Sequence, residues 1–133
     1  MPHQIIEYST NLEAQLPIDA LVATLHAHAR TIDALPLAGL RTRAYAARSA
    51  LIADEHPENG FVAVYLRIGK GRDEATRVAI GESLSGALFE FCAPLLERLP
   101  LALSYEVQEI EPATRWNHGN LRSYLARRQQ GTS

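Results

Sequence analysis

The sequence predicts an α+β fold: two β-α-β repeats forming a four-stranded mixed sheet with two helices on one face, followed by a short C-terminal helix. Three observations lead there. The order strand, helix, strand occurs twice, with equivalent elements about sixty residues apart. Each helix is long enough to act as a crossover that makes its flanking strands parallel. A length of 133 residues is one domain with room for a real core. Repeat one covers about residues 2–48, repeat two about 60–110, and a C-terminal arm about 111–133.

The elements follow in order. Gln4-Ile5-Ile6-Glu7-Tyr8 is short and β-prone, and polar Ser9-Thr10-Asn11 closes it. A helix begins near Pro17, because proline suits a first helical turn, and Ile18, Leu21, Val22, Leu25, Ala29 and Ile32 form its apolar stripe. Pro36-Leu37-Ala38-Gly39 ends it, and Leu40 to Tyr45 follows as an alternating strand. Phe61 to Ile68 is the strongest strand, rich in β-branched and aromatic residues. Gly69-Lys70-Gly71 turns the chain, and Asp73 and Glu74 favour a helix N-terminus. Ile80, Leu84, Leu88, Phe91 and Leu95 stripe that second helix, with Pro94 expected to kink or restart its last turns. Leu101 to Gln108 is the fourth strand. Trp116 to Arg128 reads as a short helix with Trp116, Leu121, Tyr124 and Leu125 as its apolar contacts, an arm that could reach a neighbouring subunit.

Composition excludes several classes of function. Hydrophobic residues make up 47% and charged residues 21%, as in ordinary globular proteins. A formal net charge of −2 gives no ground for nucleic-acid or anionic-membrane binding. No apolar stretch reads as membrane-spanning and no basic segment precedes an apolar one, so the cytoplasm is the expected compartment. Cys92, the one cysteine, excludes an internal disulfide and sits in an apolar run as a buried small hydrophobe. Two helices on one face leave the other face of the sheet and its edges uncovered, and self-association is the economical cover.

The chemistry rests on Pro2. Once Met1 is removed, Pro2 becomes an N-terminal secondary amine, a base that no side chain supplies. Nearby cationic charge or a dry pocket brings its pKa toward neutrality by disfavouring the ammonium form. With Met1 retained, the same nitrogen is an amide without basicity. Arg41 and Arg43 are two apart on a strand and leave the same face, while Arg72 follows the Gly69-Lys70-Gly71 turn. Arginine's planar fork suits a carboxylate, and the same charges depress an adjacent amine. A base with carboxylate clamps is the minimum equipment for moving a proton on an unsaturated acid. Each arginine read alone is an ordinary surface residue, so Arg41, Arg72 and Arg43 stand or fall with Pro2.

Other candidates carry less. His26 and His28 are two apart on a helix and diverge. His3, His56 and His118 lack metal-site spacing, which leaves no metal site, and His3 reads as a strand residue able to tune Pro2. Gly69-Lys70-Gly71 lacks the serine or threonine of a phosphate loop, and no serine sits in a nucleophile elbow. Arg122, Arg127 and Arg128 with Tyr124 read as a solvated terminus.

Several stretches resemble a known family. Pro2-His3 opening a strand looks like the tautomerase superfamily, whose members use an amino-terminal proline. Pro36-Leu37-Ala38-Gly39-Leu40-Arg41-Thr42-Arg43, Ile68-Gly69-Lys70-Gly71-Arg72 and Pro100-Leu101-Ala102-Leu103-Ser104-Tyr105-Glu106-Val107 are similar to its 5-carboxymethyl-2-hydroxymuconate Δ-isomerase family. The similarity runs to about Leu125. It implies a homotrimer with sheets around a central axis, no cofactor or metal, and a small unsaturated di- or tricarboxylate as substrate. The implied reaction, in homoprotocatechuate breakdown, is ketonisation of an enol to its 2-oxo isomer. Pro2 then carries the proton, Arg41 holds a carboxylate or the developing dienolate oxygen, and Arg72 and Arg43 bind substrate. The stretches Ala46–Ala50 and Glu55–Asn59 depart from the family pattern, and Trp116–Asn120 matches it only in part, with glycine where a polar residue is more usual. Two alternatives stand beside this: a non-catalytic binding or assembly module with Pro2 incidental, and a sister hydratase-type dehalogenase or decarboxylase acting on a small acid.

Overall fold

The computed structural model describes residues 1–131. Its elements are β1 (His3–Ser9), α1 (Ile18–Arg30), β2 (Arg41–Ala47), β3 (Gly60–Gly69), α2 (Glu74–Leu96), β4 (Leu101–Ile110) and α3 (Leu121–Gln129). Short 3-10 turns lie at Thr10–Leu12, Leu37–Gly39 and Pro112–Thr114. The strand order is β2-β1-β3-β4, with β1 and β2 parallel, β1 and β3 antiparallel, and β3 and β4 parallel. Each crossover helix therefore does what the sequence predicts: it returns the chain to a parallel neighbour. The two repeats meet head to tail along the β1–β3 seam, which makes the sheet mixed.

Strand alternation decides what lies beneath the helices. Ile6 and Tyr8 of β1 alternate with outward His3, Ile5 and Glu7, and Val62, Val64, Leu66 and Ile68 do the same on β3. These inward residues pack against Leu21, Leu25 and Ala29 of α1 and Ile80, Leu84, Leu88, Cys92 and Leu95 of α2. Truncating a fully buried leucine such as Leu88 to alanine costs about 2–5 kcal/mol. Burial also pushes the Cys92 thiol up to about 11, which makes it the inert hydrophobe expected.

One polar residue enters this layer. Gln4 is fully buried and satisfied: its Nε2 donates to the Leu25 carbonyl at 3.3 Å and Thr42 Oγ1 at 3.1 Å, and its Oε1 accepts from the Tyr105 hydroxyl at 2.8 Å. His26 Nδ1 extends the network to Thr42 Oγ1 at 2.8 Å. The bonds tie β1 to α1, β2 and β4, fixing the register of the strand that begins at Pro2.

Local signals account for most element boundaries. Asp73 caps α2 by accepting from the Thr76 amide at 2.8 Å, with Glu74 in the first turn. Gly71 has φ 127°, a conformation that favours glycine, so the turn after β3 forms where expected. Pro17 sits at the N-cap of α1 rather than inside it.

Four expectations need correcting. α1 ends at Arg30, so Ile32 packs against the core from the connection beyond the helix. Pro94 lies inside α2, which runs unbroken to Leu96; a proline that near the end forfeits little of the hydrogen-bond ladder. By length and mean hydropathy alone α2 is long and apolar enough to cross a bilayer, contrary to the sequence reading. In the fold, its Ile80, Leu84, Leu88, Cys92 and Leu95 stripe lies against the sheet. The tail helix is shorter than expected: Trp116 lies outside it and is 85% exposed.

Candidate active site

β4 runs parallel to β3 and so antiparallel to β1; its end therefore emerges where β1 begins. The chain after β4 turns at Pro112–Thr114 and folds across that end of the sheet. A cavity of about 280 Å³ lies there, lined by Met1, Pro36, Ala38, Gly39 and Arg41 on one side. Asn117, His118, Gly119, Leu121 and Arg122 of the arm line the other. The arm thus closes on its own chain, and Arg122, expected in a solvated tail, lines the cavity.

Backbone contacts set the position of the amino terminus. The Arg41 amide donates to the Pro2 carbonyl at 3.0 Å, joining the starts of β1 and β2. Pro2 itself is buried, whereas Met1 is 36% exposed at the cavity. Gly39 permits this approach: a Cβ there would stand 2.7 Å from Met1 Cα and 3.1 Å from Pro2 Cδ. The turn Pro36-Leu37-Ala38-Gly39 is therefore read twice, once as the stop after α1 and once as the floor beneath the terminus.

The predicted arginines take three different stations. Arg41 lines the cavity; its Nη1 donates to the Gly39 carbonyl at 3.1 Å and lies 3.7 Å from Met1 Sδ. Arg43, two residues on and on the same face, donates through Nε to the Tyr45 hydroxyl at 3.1 Å and brings Nη1 to 3.2 Å from His3 Nδ1. Arg72 donates to the Ala34 carbonyl through Nε (3.2 Å) and Nη2 (2.6 Å), and to the Gly69 carbonyl through Nη1 (3.0 Å). It pins the connection after α1 to the end of β3. Neither Arg43 nor Arg72 lines the cavity.

Two residues were undervalued in the sequence. Arg115, on the arm, brings Nη2 to 3.0 Å from His3 Nε2 and donates through Nε to Asn117 Oδ1 at 3.0 Å. His3, whose strand neighbours in register are Arg41 and Arg67, therefore stands between Arg43 and Arg115. Its pKa falls to about 4, first through desolvation and then through the charges of Arg43, Arg41, Arg115 and Arg67. The amino-terminal ammonium feels the same environment. Its pKa is lowered by desolvation and then by Arg115, Arg72, Arg41 and Arg122. Among the described residues, the ion pairs are Lys70–Glu111 and Arg77–Glu109, so this guanidinium cluster has no carboxylate of its own. It is a site short of anions. No group of three His, Cys, Asp or Glu side chains placed to hold a metal occurs among the described residues.

A family profile described as 5-carboxymethyl-2-hydroxymuconate isomerase matches residues 2–125. The 5-carboxymethyl-2-hydroxymuconate Δ-isomerase of Escherichia coli is 31% identical over 121 residues, covering 91% of this chain and 96% of that one. The chain belongs to the 5-carboxymethyl-2-hydroxymuconate isomerase family. The crystal structure of a family isomerase from Deinococcus radiodurans R1 superposes with a TM-score of 0.86 at 31% identity, covering 93% of each chain. A fused 4-OT protein described as a symmetric trimer shares the fold, with a TM-score of 0.58 at 20% identity over 89% of this chain and 92% of that one. The family match extends through the arm as far as Leu125 and so includes Arg115 and Arg122.

Proposed function

We propose that the chain, once freed of Met1, isomerises an enolised unsaturated acid of the 5-carboxymethyl-2-hydroxymuconate type, with the Pro2 amine carrying the proton. One observation carries this reading: the amino terminus lies at a cavity where burial and four guanidinium groups all lower its basicity. Pro2 follows directly, beneath Met1, so loss of Met1 opens its nitrogen to the same cavity and the same guanidinium charges. A neutral amine is the form that accepts a proton.

The steps balance without another reactant. The amine takes the proton of the 2-hydroxyl, and negative charge grows on that oxygen and spreads along the diene. Arg41, at the cavity wall, stabilises this charge, which is larger in the transition state than in the bound acid. The ammonium then returns a proton to a carbon further along the conjugated chain. The oxygen becomes a carbonyl, one double bond shifts, and the amine is regenerated. Arg72 supports the reaction by its charge on the amine and by anchoring Ala34, and Arg43 by holding His3.

Three copies assemble in this proposal. The face of the sheet opposite the helices presents Ile5, Phe61 and Tyr65, half-buried in the single chain, and a protein of the same fold is a symmetric trimer. Following the loss of dienol absorbance of 5-carboxymethyl-2-hydroxymuconate tests the function. Met1-free protein should accelerate the loss, and protein that keeps Met1 should be slower by about 10²–10⁴-fold. Equal rates from the two forms reject Pro2 as the base.

A further inference from the structure

His3 poses a problem of donors and acceptors. A neutral imidazole has one lone pair free to accept and one N–H, whereas a guanidinium has only donors. Yet Arg43 Nη1 lies 3.2 Å from Nδ1 and Arg115 Nη2 lies 3.0 Å from Nε2. In either tautomer one arginine is bonded and the other faces an N–H. One of the two Nη nitrogens is therefore held close to the ring without an acceptor there.

The two arginines are not equivalent. Arg43 sits on a central part of the strand pair and has the Tyr45 hydroxyl as a second partner. Arg115 sits on the arm, tied to His3 beside Pro2 on one side and to the cavity-lining Asn117 on the other. Asn117 lines the cavity and His3 pairs in register with cavity-lining Arg41, and no ion pair among the described residues uses Arg115. A carboxylate reaching past the cavity would accept from its free N–H groups in the paired geometry that arginine favours.

We propose that Arg115, positioned by His3 and Asn117, is a specificity-determining residue that receives the distal carboxylate of a tricarboxylate substrate. This rests on the reading that the cavity isomerises an enolised unsaturated acid, and it adds which member of that class is preferred. Arg41 and the Pro2 amine address the enol end, common to all such acids. Arg115 addresses the carboxymethyl arm, present on 5-carboxymethyl-2-hydroxymuconate and absent from 2-hydroxymuconate. The lowered basicity of both His3 and the amino terminus, to which Arg115 contributes, agrees with its guanidinium lying near both.

Steady-state kinetics of the Met1-free trimer on these two acids, for wild type, Arg115→Gln, Arg115→Lys and His3→Gln, provide the test. Arg115→Gln should raise KM for the tricarboxylate by about 10–100-fold with a much smaller change in kcat. Its loss of kcat/KM on the tricarboxylate should exceed the loss on the dicarboxylate by at least about tenfold. Arg115→Lys should recover part of that difference, and His3→Gln should shift KM in the same direction by less. A fall of equal size on both acids, or none on either, overturns the assignment. Calorimetric titration with propane-1,2,3-tricarboxylate and with glutarate reads the same residue without turnover. Wild type should prefer the tricarboxylate and Arg115→Gln should lose that preference; an unchanged preference overturns the role of Arg115. Wild type that binds selectively yet converts neither muconate contradicts the proposed reaction and leaves Arg115 as a binding residue.

Discussion

The two repeats present the same end of a β-α-β unit in two forms. In repeat one the starts of β1 and β2 are joined by the Arg41 amide to Pro2 carbonyl bond at 3.0 Å; in repeat two the starts of β3 and β4 are joined by the Gly60 amide to Pro100 carbonyl bond at 2.9 Å, with the donor on the first strand of the unit instead of the second. Because β1 and β3 are antiparallel, these ends lie at opposite edges of the sheet. At the first, the connection after α1 borders a cavity lined by Arg41 and Arg122, neither of which has an ion pair among the described residues. At the second, Leu12 covers Gly60, and the loop after β2 folds over the strand ends. There Asn11 Nδ2 donates to the Pro57 and Asn59 carbonyls at 3.1 and 2.7 Å, and Asn59 Nδ2 donates to Asp54 Oδ1 at 2.7 Å. The cleft beside it, about 140 Å³, contains both Arg48 and Glu55. The same β-α-β unit therefore yields an anion-seeking site at one edge and a self-satisfied closure at the other. The side chains at the strand starts make the difference.

Substitutions at the two edges should separate. Arg41→Ala should lower kcat by about 10²–10³-fold while the melting temperature stays near that of wild type, because in the proposed reaction its guanidinium acts on charge that develops in the transition state. Arg48→Ala, the arginine of the opposite cleft, should change kcat by less than about threefold. Comparable losses from both would erase the distinction between the edges.

Glycine substitutions sharpen the comparison. In Met1-free protein, Gly39→Ala places a methyl 3.1 Å from Pro2 Cδ, so it should displace the amine and reduce turnover more than stability. Gly60→Ala drives a methyl to 2.6 Å from Cδ2 of buried Leu12. It should cost about 1–3 kcal/mol in denaturant unfolding while each folded molecule retains its turnover. The smallest effect concerns pH. His3 titrates at about 4 in the fold against 6.5 in an open chain, so between those values the unfolded state binds more protons. Stability should then rise with pH across about 4 to 6.5, and fall on acidification through the same window. His3→Gln should flatten that part of the profile, modestly, since the ring is partly screened by water.

How far the sequence alone carries is clear at particular residues. Strand alternation and the helix stripes placed all four strands and both long helices, because burial on one face imposes those periods directly. Asp73 and the Pro36–Gly39 stop were legible as local chemistry. Arg41 was a candidate from arginine's fit to a carboxylate and from the family resemblance; the parallel pairing that sets it opposite His3, next to Pro2, is a feature of the fold. The arm was not legible. Asn117, His118 and Gly119 carry no periodic signal, and their role comes only from where β4 delivers the chain. That delivery could have been inferred: β4 parallel to β3 must end at the start of β1, and anything following it returns to Pro2. Arg72 was found near the terminus but not its occupation, since its partners are the carbonyls of Ala34 and Gly69, which no sequence pattern announces.

The central claim concerns one nitrogen, and its titration tests it most directly. In Met1-free protein labelled with ¹⁵N at Pro2, the amine should deprotonate below the ordinary amino-terminal value of about 8, and Arg41→Ala or Arg115→Gln should each raise that midpoint. A midpoint at or above about 8, indifferent to both substitutions, would contradict an amine held neutral by burial and guanidinium charge.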